Sequence, residues 1–121
     1  MTQHKVLVID DDPVILLMLT HQLESVDLVT VSAESAEEAM SLGSADQFDL
    51  ILSDLEMPGM SGLELYEQWI ADSATSFILM TGHFETGEIE SQLANKVEIL
   101  TKPVSSATLH EAVFRLLEPK A

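Results

Sequence analysis

Hydrophobic positions along this chain fall in short runs separated by polar stretches of helical length. Five runs read as strands buried on both faces: Lys5-Val6-Leu7-Val8-Ile9, Leu28-Val29-Thr30-Val31, Leu50-Ile51-Leu52-Ser53, Phe77-Ile78-Leu79-Met80-Thr81 and Val97-Glu98-Ile99-Leu100. Between them lie helical signals. Pro13 opens a helix over Val14 to Leu23 closed by Glu24-Ser25, and Ser35-Ala36-Glu37-Glu38 reads as a capping box before Ala39-Met40. That second helix has a small apolar face at positions 36, 39, 40 and 43 and should end near Gly43-Ser44. Gly62 opens a third, with Leu63, Tyr66 and Ile70 on one side and Leu65 and Trp69 beside them. Tyr66 and Trp69 read as packing residues. A fourth helix, roughly 87–94, is the least specified, since only Ile89 and Leu93 give it a stripe, and it should be the most mobile element. The last follows Ser105-Ser106, with Leu109, Ala112, Val113, Leu116 and Leu117 at helical spacing.

Strands and helices that alternate at such short intervals leave room only for crossover units. The pattern predicts an α/β fold, a doubly wound five-stranded parallel sheet with five helices in three layers, as one domain over 1–121. No repeat or linker interrupts it. With 121 residues the chain can bury a single core.

Charge and composition narrow the chemistry. Twenty-one acidic residues against five basic ones give a net charge of −16, so the expected partners are basic or apolar with a cationic rim, and neither nucleic acid nor a membrane is expected to bind directly. The chain has no cysteine, which excludes disulfides and thiolate metal sites. Met1 to Lys5 lead into a strand without an apolar signal region, and no run approaches the ~20 apolar residues that cross a bilayer, so the expected location is cytoplasmic.

The carboxyl ends of parallel strands share one edge, and ligands bind there where strand order reverses. Four of the five strands deliver polar chemistry to that edge: Asp10 and Asp11 after the first, Asp54 after the third, Thr81 after the fourth and Lys102 after the fifth. Asp12 suffices as the N-cap of the first helix, which leaves Asp10 and Asp11 unexplained by capping. Gathered carboxylates repel by about 1 kcal/mol or more per pair even at high effective dielectric, so the cluster calls for positive charge. Lys102 offsets one charge, and the remainder suits a hard divalent cation, Mg²⁺ rather than zinc. A cation, a free carboxylate, a lysine and a hydroxyl are the minimum set for moving a phosphoryl group onto Asp54, with Thr81 donating to a phosphoryl oxygen. No glycine-rich nucleotide loop is present, so the donor is not a nucleotide held by this chain.

With these residues in place the sequence resembles the receiver domains of two-component response regulators, the flavodoxin-like fold of the single-domain chemotaxis regulator. The resemblance covers essentially the whole chain. It rests on the acidic pair in Val8-Ile9-Asp10-Asp11-Asp12, on Asp54 with its Met57-Pro58-Gly59-Met60-Ser61-Gly62 turn, on Thr81, and on Lys102-Pro103. It implies that Asp54 is the phosphoacceptor, taking phosphate from a histidine kinase or histidine phosphotransfer protein and switching the binding of a downstream output partner. It further implies that Asp10 and Asp11 hold Mg²⁺, with Asp11, Asp54 and the backbone carbonyl of Glu56 as direct ligands, that Thr81 is the switch hydroxyl, and that Lys102 contacts the phosphate. The only chemistry so implied is self-phosphorylation and self-dephosphorylation at Asp54.

Two positions depart from the family pattern. Ile99 stands three residues before the lysine, where the family usually has Tyr or Phe, and Gly82 follows the switch hydroxyl where Ala is common. Glu56 and His83 occupy sites that modulate the lifetime of the aspartyl phosphate in the family. Two other readings compete with a phosphorylation-controlled switch. A constitutive docking module or phosphate sink would bind its partner equally well with and without phosphate. A Mg²⁺-dependent phosphatase of the haloacid dehalogenase type would turn over small phosphomonoesters, but Pro13-Val14 follows the acidic run where that family needs a small hydroxyl residue, and there is no cap insertion.

Overall fold

Apolar residues alternate between the two faces of every central strand, so each strand serves two cores at once. The structure, a computed structural model, describes residues 4–82 and 97–117. It contains β1 (Lys5–Ile9), α1 (Pro13–Glu24), β2 (Val29–Ala33), α2 (Ala36–Met40), β3 (Leu50–Asp54), α3 (Gly62–Leu65, continuing as a π-turn over Tyr66–Ile70), β4 (Ser76–Thr81), β5 (Val97–Thr101) and α4 (Ser106–Leu117). All strand pairs are parallel, in the order β2-β1-β3-β4-β5. This is the expected flavodoxin-like doubly wound sheet. Four helices flank it among the described residues; the helix expected at 87–94 lies outside them.

Val6, Val8, Leu50, Leu52, Ile78 and Met80 face one layer, where α1 brings Leu16, Leu19 and Leu23 and α4 brings Leu109, Ala112 and Val113. Leu7, Ile9, Ile51, Phe77 and Leu79 face the other, covered by Ala36 and Ala39 of α2 and by Leu65, Tyr66 and Ile70 of α3. Tyr66 stacks on Phe77 and the Trp69 indole donates to the Gly43 carbonyl at 3.0 Å, so both rings pack the fold as expected.

The sequence reading misplaces two features. β2 runs over Val29–Ala33 rather than 28–31, because β1 offers five pairing positions, from Lys5↔Val29 to Ile9↔Ala33, while Leu28 is drawn back by its amide bond to the Leu23 carbonyl. In α3, Leu65 is buried where Leu63 was expected to lead the apolar side, and Leu63 is half-buried. The π-turn, closed by the Ala71 amide on the Tyr66 carbonyl, aligns residues five apart and sets Leu65 above Ile70. The start of α3 also carries a capping box, Ser61 with Glu64, that the sequence reading did not use.

Candidate functional site

Strand order reverses between β1 and β3: the chain passes from β1 outward to β2, then returns across β1 to β3. A crevice therefore opens at the carboxyl ends of β1 and β3, and each strand ends in an aspartate there. Asp10 follows Ile9, and Asp54 is the last residue of β3.

Local structure fixes both. Asp12 caps α1, its carboxylate accepting from the Val14 amide at 2.9 Å, and its own amide donates to Asp10 Oδ1 at 2.9 Å. Sequence reasoning gave Asp12 only the capping role; the signal for the second was the two-residue spacing of an Asx turn. Below Asp54, the Gly62 amide closes the loop by donating to the Leu55 carbonyl at 2.9 Å. A Cβ on Gly62 would lie 2.4 Å from the Asp54 carbonyl oxygen, so only glycine lets this loop seat against the end of β3.

Asp10, Asp11 and Asp54 each bring a carboxylate oxygen within 4.8 Å of the other two. Lys102, from the end of β5, places Nζ 3.0 Å from Asp54 Oδ1 and 3.8 Å from Asp10 Oδ2. Thr81 joins through the backbone, its carbonyl accepting from the Lys102 amide at 2.7 Å, and its side chain is fully buried. Asp10, Asp11, Asp54 and Lys102 thus surround one hollow, with Thr81 on the same rim. Glu56 is exposed in the loop two residues beyond Asp54, and its side chain is not part of the cluster. A Cβ on Gly82 would meet nothing within 4 Å among the described residues, Ile99 is half-buried against the α2–α3 core, and His83 lies outside the described residues.

The electrostatics are unbalanced. Burial raises the Asp10 pKa; the Asp12 amide and Lys102 oppose this, while Asp54 and Asp11 add to it. For Lys102 burial acts against the charged form, but the hydrogen bond to Asp54 and the charges of Asp54, Asp10 and Asp11 outweigh it and hold the ammonium pKa above its ordinary value. One ammonium faces three carboxylates. Asp10 Oδ2 is buried and accepts no hydrogen bond among the described residues. An orphaned carboxylate oxygen beside two further carboxylates fits a hard, oxygen-seeking divalent cation, and the donor set contains neither sulfur nor imidazole.

Fold and site together define a doubly wound α/β domain that gathers three carboxylates and a lysine at the carboxyl edge of its sheet. The response regulator receiver domain model matches residues 6–114. Response regulator protein PilR of Pseudomonas aeruginosa is 35% identical over 127 residues, covering 100% of this chain and 28% of PilR. Protein PilH of the same organism is 29% identical, covering 93% of this chain and 97% of PilH. The crystal structure of a response regulator receiver protein from Pseudomonas putida superimposes with a TM-score of 0.82 at 32% identity, covering 95% of this chain and 98% of that one. The chain belongs to the response regulator receiver domain family, whose business is phosphorelay signalling in two-component systems. Receiver domains are not conventional enzymes. The chain spans little more than a quarter of PilR and nearly all of PilH. No helix among the described residues is long and apolar enough to cross a membrane.

Proposed function

We propose that Asp54 accepts a phosphoryl group from the phosphohistidine of a histidine kinase or phosphotransfer protein and that the resulting acyl phosphate switches the binding of an output partner. The observation that carries this reading is the grouping of three carboxylates within 4.8 Å, one of them with an orphaned buried oxygen, around a lysine 3.0 Å from Asp54. An Asp54 oxygen attacks phosphorus in line, the bond to the donor imidazole nitrogen breaks, and the electron pair leaves with the imidazole. Lys102, already positioned on Asp54, transfers its contact to a phosphoryl oxygen, and Thr81 donates to another. Asp11, Asp54 and the Glu56 backbone carbonyl would hold Mg²⁺ directly, with Asp10 beside them. When bound, the ion supplies charge neutralisation of carboxylates and phosphoryl oxygens. The added charge of roughly −1.5 to −2 is what biases the surrounding loops.

Acetyl phosphate with Mg²⁺ should add one phosphate, read by intact-mass spectrometry, and chelation of the metal should prevent it. Asp54→Asn should accept none; uptake by that variant at the wild-type rate would end the reading. Glu56 projects from the loop after Asp54, and Glu56→Ala should change the decay rate of the phosphorylated form.

A further inference from the structure

Five buried side chains among the described residues are polar or charged: Asp10, Ser53, Asp54, Thr75 and Thr81. Four of them have an account. Asp10, Asp54 and Thr81 stand in or beside the acidic hollow, and the Thr75 hydroxyl lies 2.8 Å from the Ala45 carbonyl and 3.1 Å from that of Phe48. Ser53 remains. It is fully buried in a strand that runs Leu50-Ile51-Leu52 up to it, and serine brings such a strand neither apolar area nor β-branching. A hydroxyl buried without a partner costs stability, so the group that Ser53 bonds is informative. Its Oγ donates to the backbone carbonyl of Asp54 at 3.0 Å.

That carbonyl stands where the sheet releases the chain. β1 pairs with β3 only as far as Ile9↔Ser53, whereas β4 continues to Met80↔Asp54. The Asp54 carbonyl and the Leu55 amide belong to one planar peptide unit. The Leu55 amide donates to the Met80 carbonyl at 2.8 Å, so this plane is held at its nitrogen by β4 and at its oxygen by the Ser53 hydroxyl. A plane gripped at both edges cannot swing, and its tilt sets the direction in which the chain leaves β3. Two groups inherit that direction: the Asp54 carboxylate just before the plane and the Glu56 carbonyl just after Leu55. Alternation along β3 puts Ser53 on the face of Ile51, opposite the Asp54 carboxylate, so its hydroxyl reaches the site only through the backbone.

We propose that Ser53 is a positioning residue of the acidic hollow, a role that rests on the function proposed above. By fixing the peptide between Asp54 and Leu55, its hydroxyl aligns the Asp54 carboxylate with the Glu56 carbonyl for a divalent cation. A hydroxyl present only to fill space is matched by any side chain of its size; one that holds a peptide plane is matched only by another donor.

The test titrates Mg²⁺ into the full, unphosphorylated chain by isothermal titration calorimetry, for the wild type, Ser53→Ala, Ser53→Cys and Ser53→Thr. Ser53→Ala should weaken Mg²⁺ binding about tenfold, the usual cost of losing a group that orients a metal ligand. Ser53→Cys, close in size but a weak donor, should lose about as much, and Ser53→Thr, which keeps the hydroxyl, should stay within about threefold of wild type. Acetyl phosphate uptake then separates alignment from chemistry. In Ser53→Ala the Mg²⁺ concentration for half-maximal uptake should rise about tenfold, while the rate at saturating Mg²⁺ falls less than about threefold. Wild-type Mg²⁺ affinity in Ser53→Ala or in Ser53→Cys, or a folded Ser53→Thr no better than Ser53→Ala, would overturn the role. Should Ser53→Ala fail to fold, Ser53→Cys carries the same test at nearly the same volume. If the wild type binds Mg²⁺ but takes up no phosphate, the function proposed above fails and the calorimetric comparison still decides the role of Ser53. If the wild type is phosphorylated and the calorimetric affinities are equal, only the role of Ser53 fails.

Discussion

Each end of the sheet pairs a lysine with an aspartate, and the two pairs behave differently. At the amino end, the Lys5 amide donates to Asp49 Oδ2 at 2.8 Å, the Asp49 amide returns a bond to the Lys5 carbonyl, and the Lys5 ammonium lies over the Phe48 ring. Asp49 is exposed, so these groups clasp the start of β1 to the residue before β3 in water. At the carboxyl end, Lys102 meets Asp54 and Asp10, which are buried, with Asp11 alongside. The difference teaches that burial and an excess of one sign, rather than the residue types, separate the clustered hollow from the clasp between strands.

The largest effect should come from unseating the loop under Asp54. Gly62→Ala forces a Cβ against the Asp54 carbonyl and should cost about 2–3 kcal/mol of stability, read by urea unfolding, whereas Asp49→Ala at the amino-end clasp should cost far less. A cost below about 0.5 kcal/mol would mean that the loop relaxes freely.

Next comes the lysine pair. Lys102→Met strips three carboxylates of their ammonium; because Lys102 is 32% exposed, the expected loss is discounted to about 1–2 kcal/mol, and added Mg²⁺ should recover part of it. Lys5→Met should cost less than about 0.5 kcal/mol and be indifferent to Mg²⁺. The folded-state pKa of Lys102 is raised, so its contribution is fully present below the ordinary lysine pKa and is lost as pH rises through the raised value. The alkaline limb of the wild-type stability curve should therefore flatten in Lys102→Met.

Asp10 should show the same direction with pH but the opposite effect of substitution. Its carboxyl pKa is raised, so it favours the folded state most below the ordinary carboxylate range and loses that contribution as pH rises through the raised value. In metal-free buffer near neutral pH, Asp10→Asn should raise Tm by a few degrees. The wild type should gain stability from Mg²⁺ and the variant should gain less. A variant less stable than wild type without metal would refute the picture of a buried charge that Lys102 and the Asp12 amide only partly offset.

The smallest effect concerns Gly82. A Cβ there meets nothing within 4 Å among the described residues, so Gly82→Ala should change stability by less than about 0.5 kcal/mol, checked by the same unfolding curves.

Much of this was legible in the sequence because the signals are local. A strand buried on both faces writes itself as an apolar run, and an aspartate or lysine at its end is carried to the edge without further information, so Asp10, Asp11, Asp54 and Lys102 could be assigned to one place. Register between strands is not local: β2 took its length from β1, and Ser32 and Ala33 gave no sign of it. Nor is a π-turn visible in a pattern read at 3.6 residues per turn, and it is Leu65, read as lying beside the apolar side, that is buried with Tyr66 and Ile70, while Leu63 is half-buried.

Asp12 ties the site to the helix that follows it. One residue caps α1 with its carboxylate and grips the Asp10 carboxylate with its amide, so the start of the helix and the acidic rim share one anchor. A push along α1 reaches Asp10 over a single peptide unit, and a pull on Asp10 returns the same way.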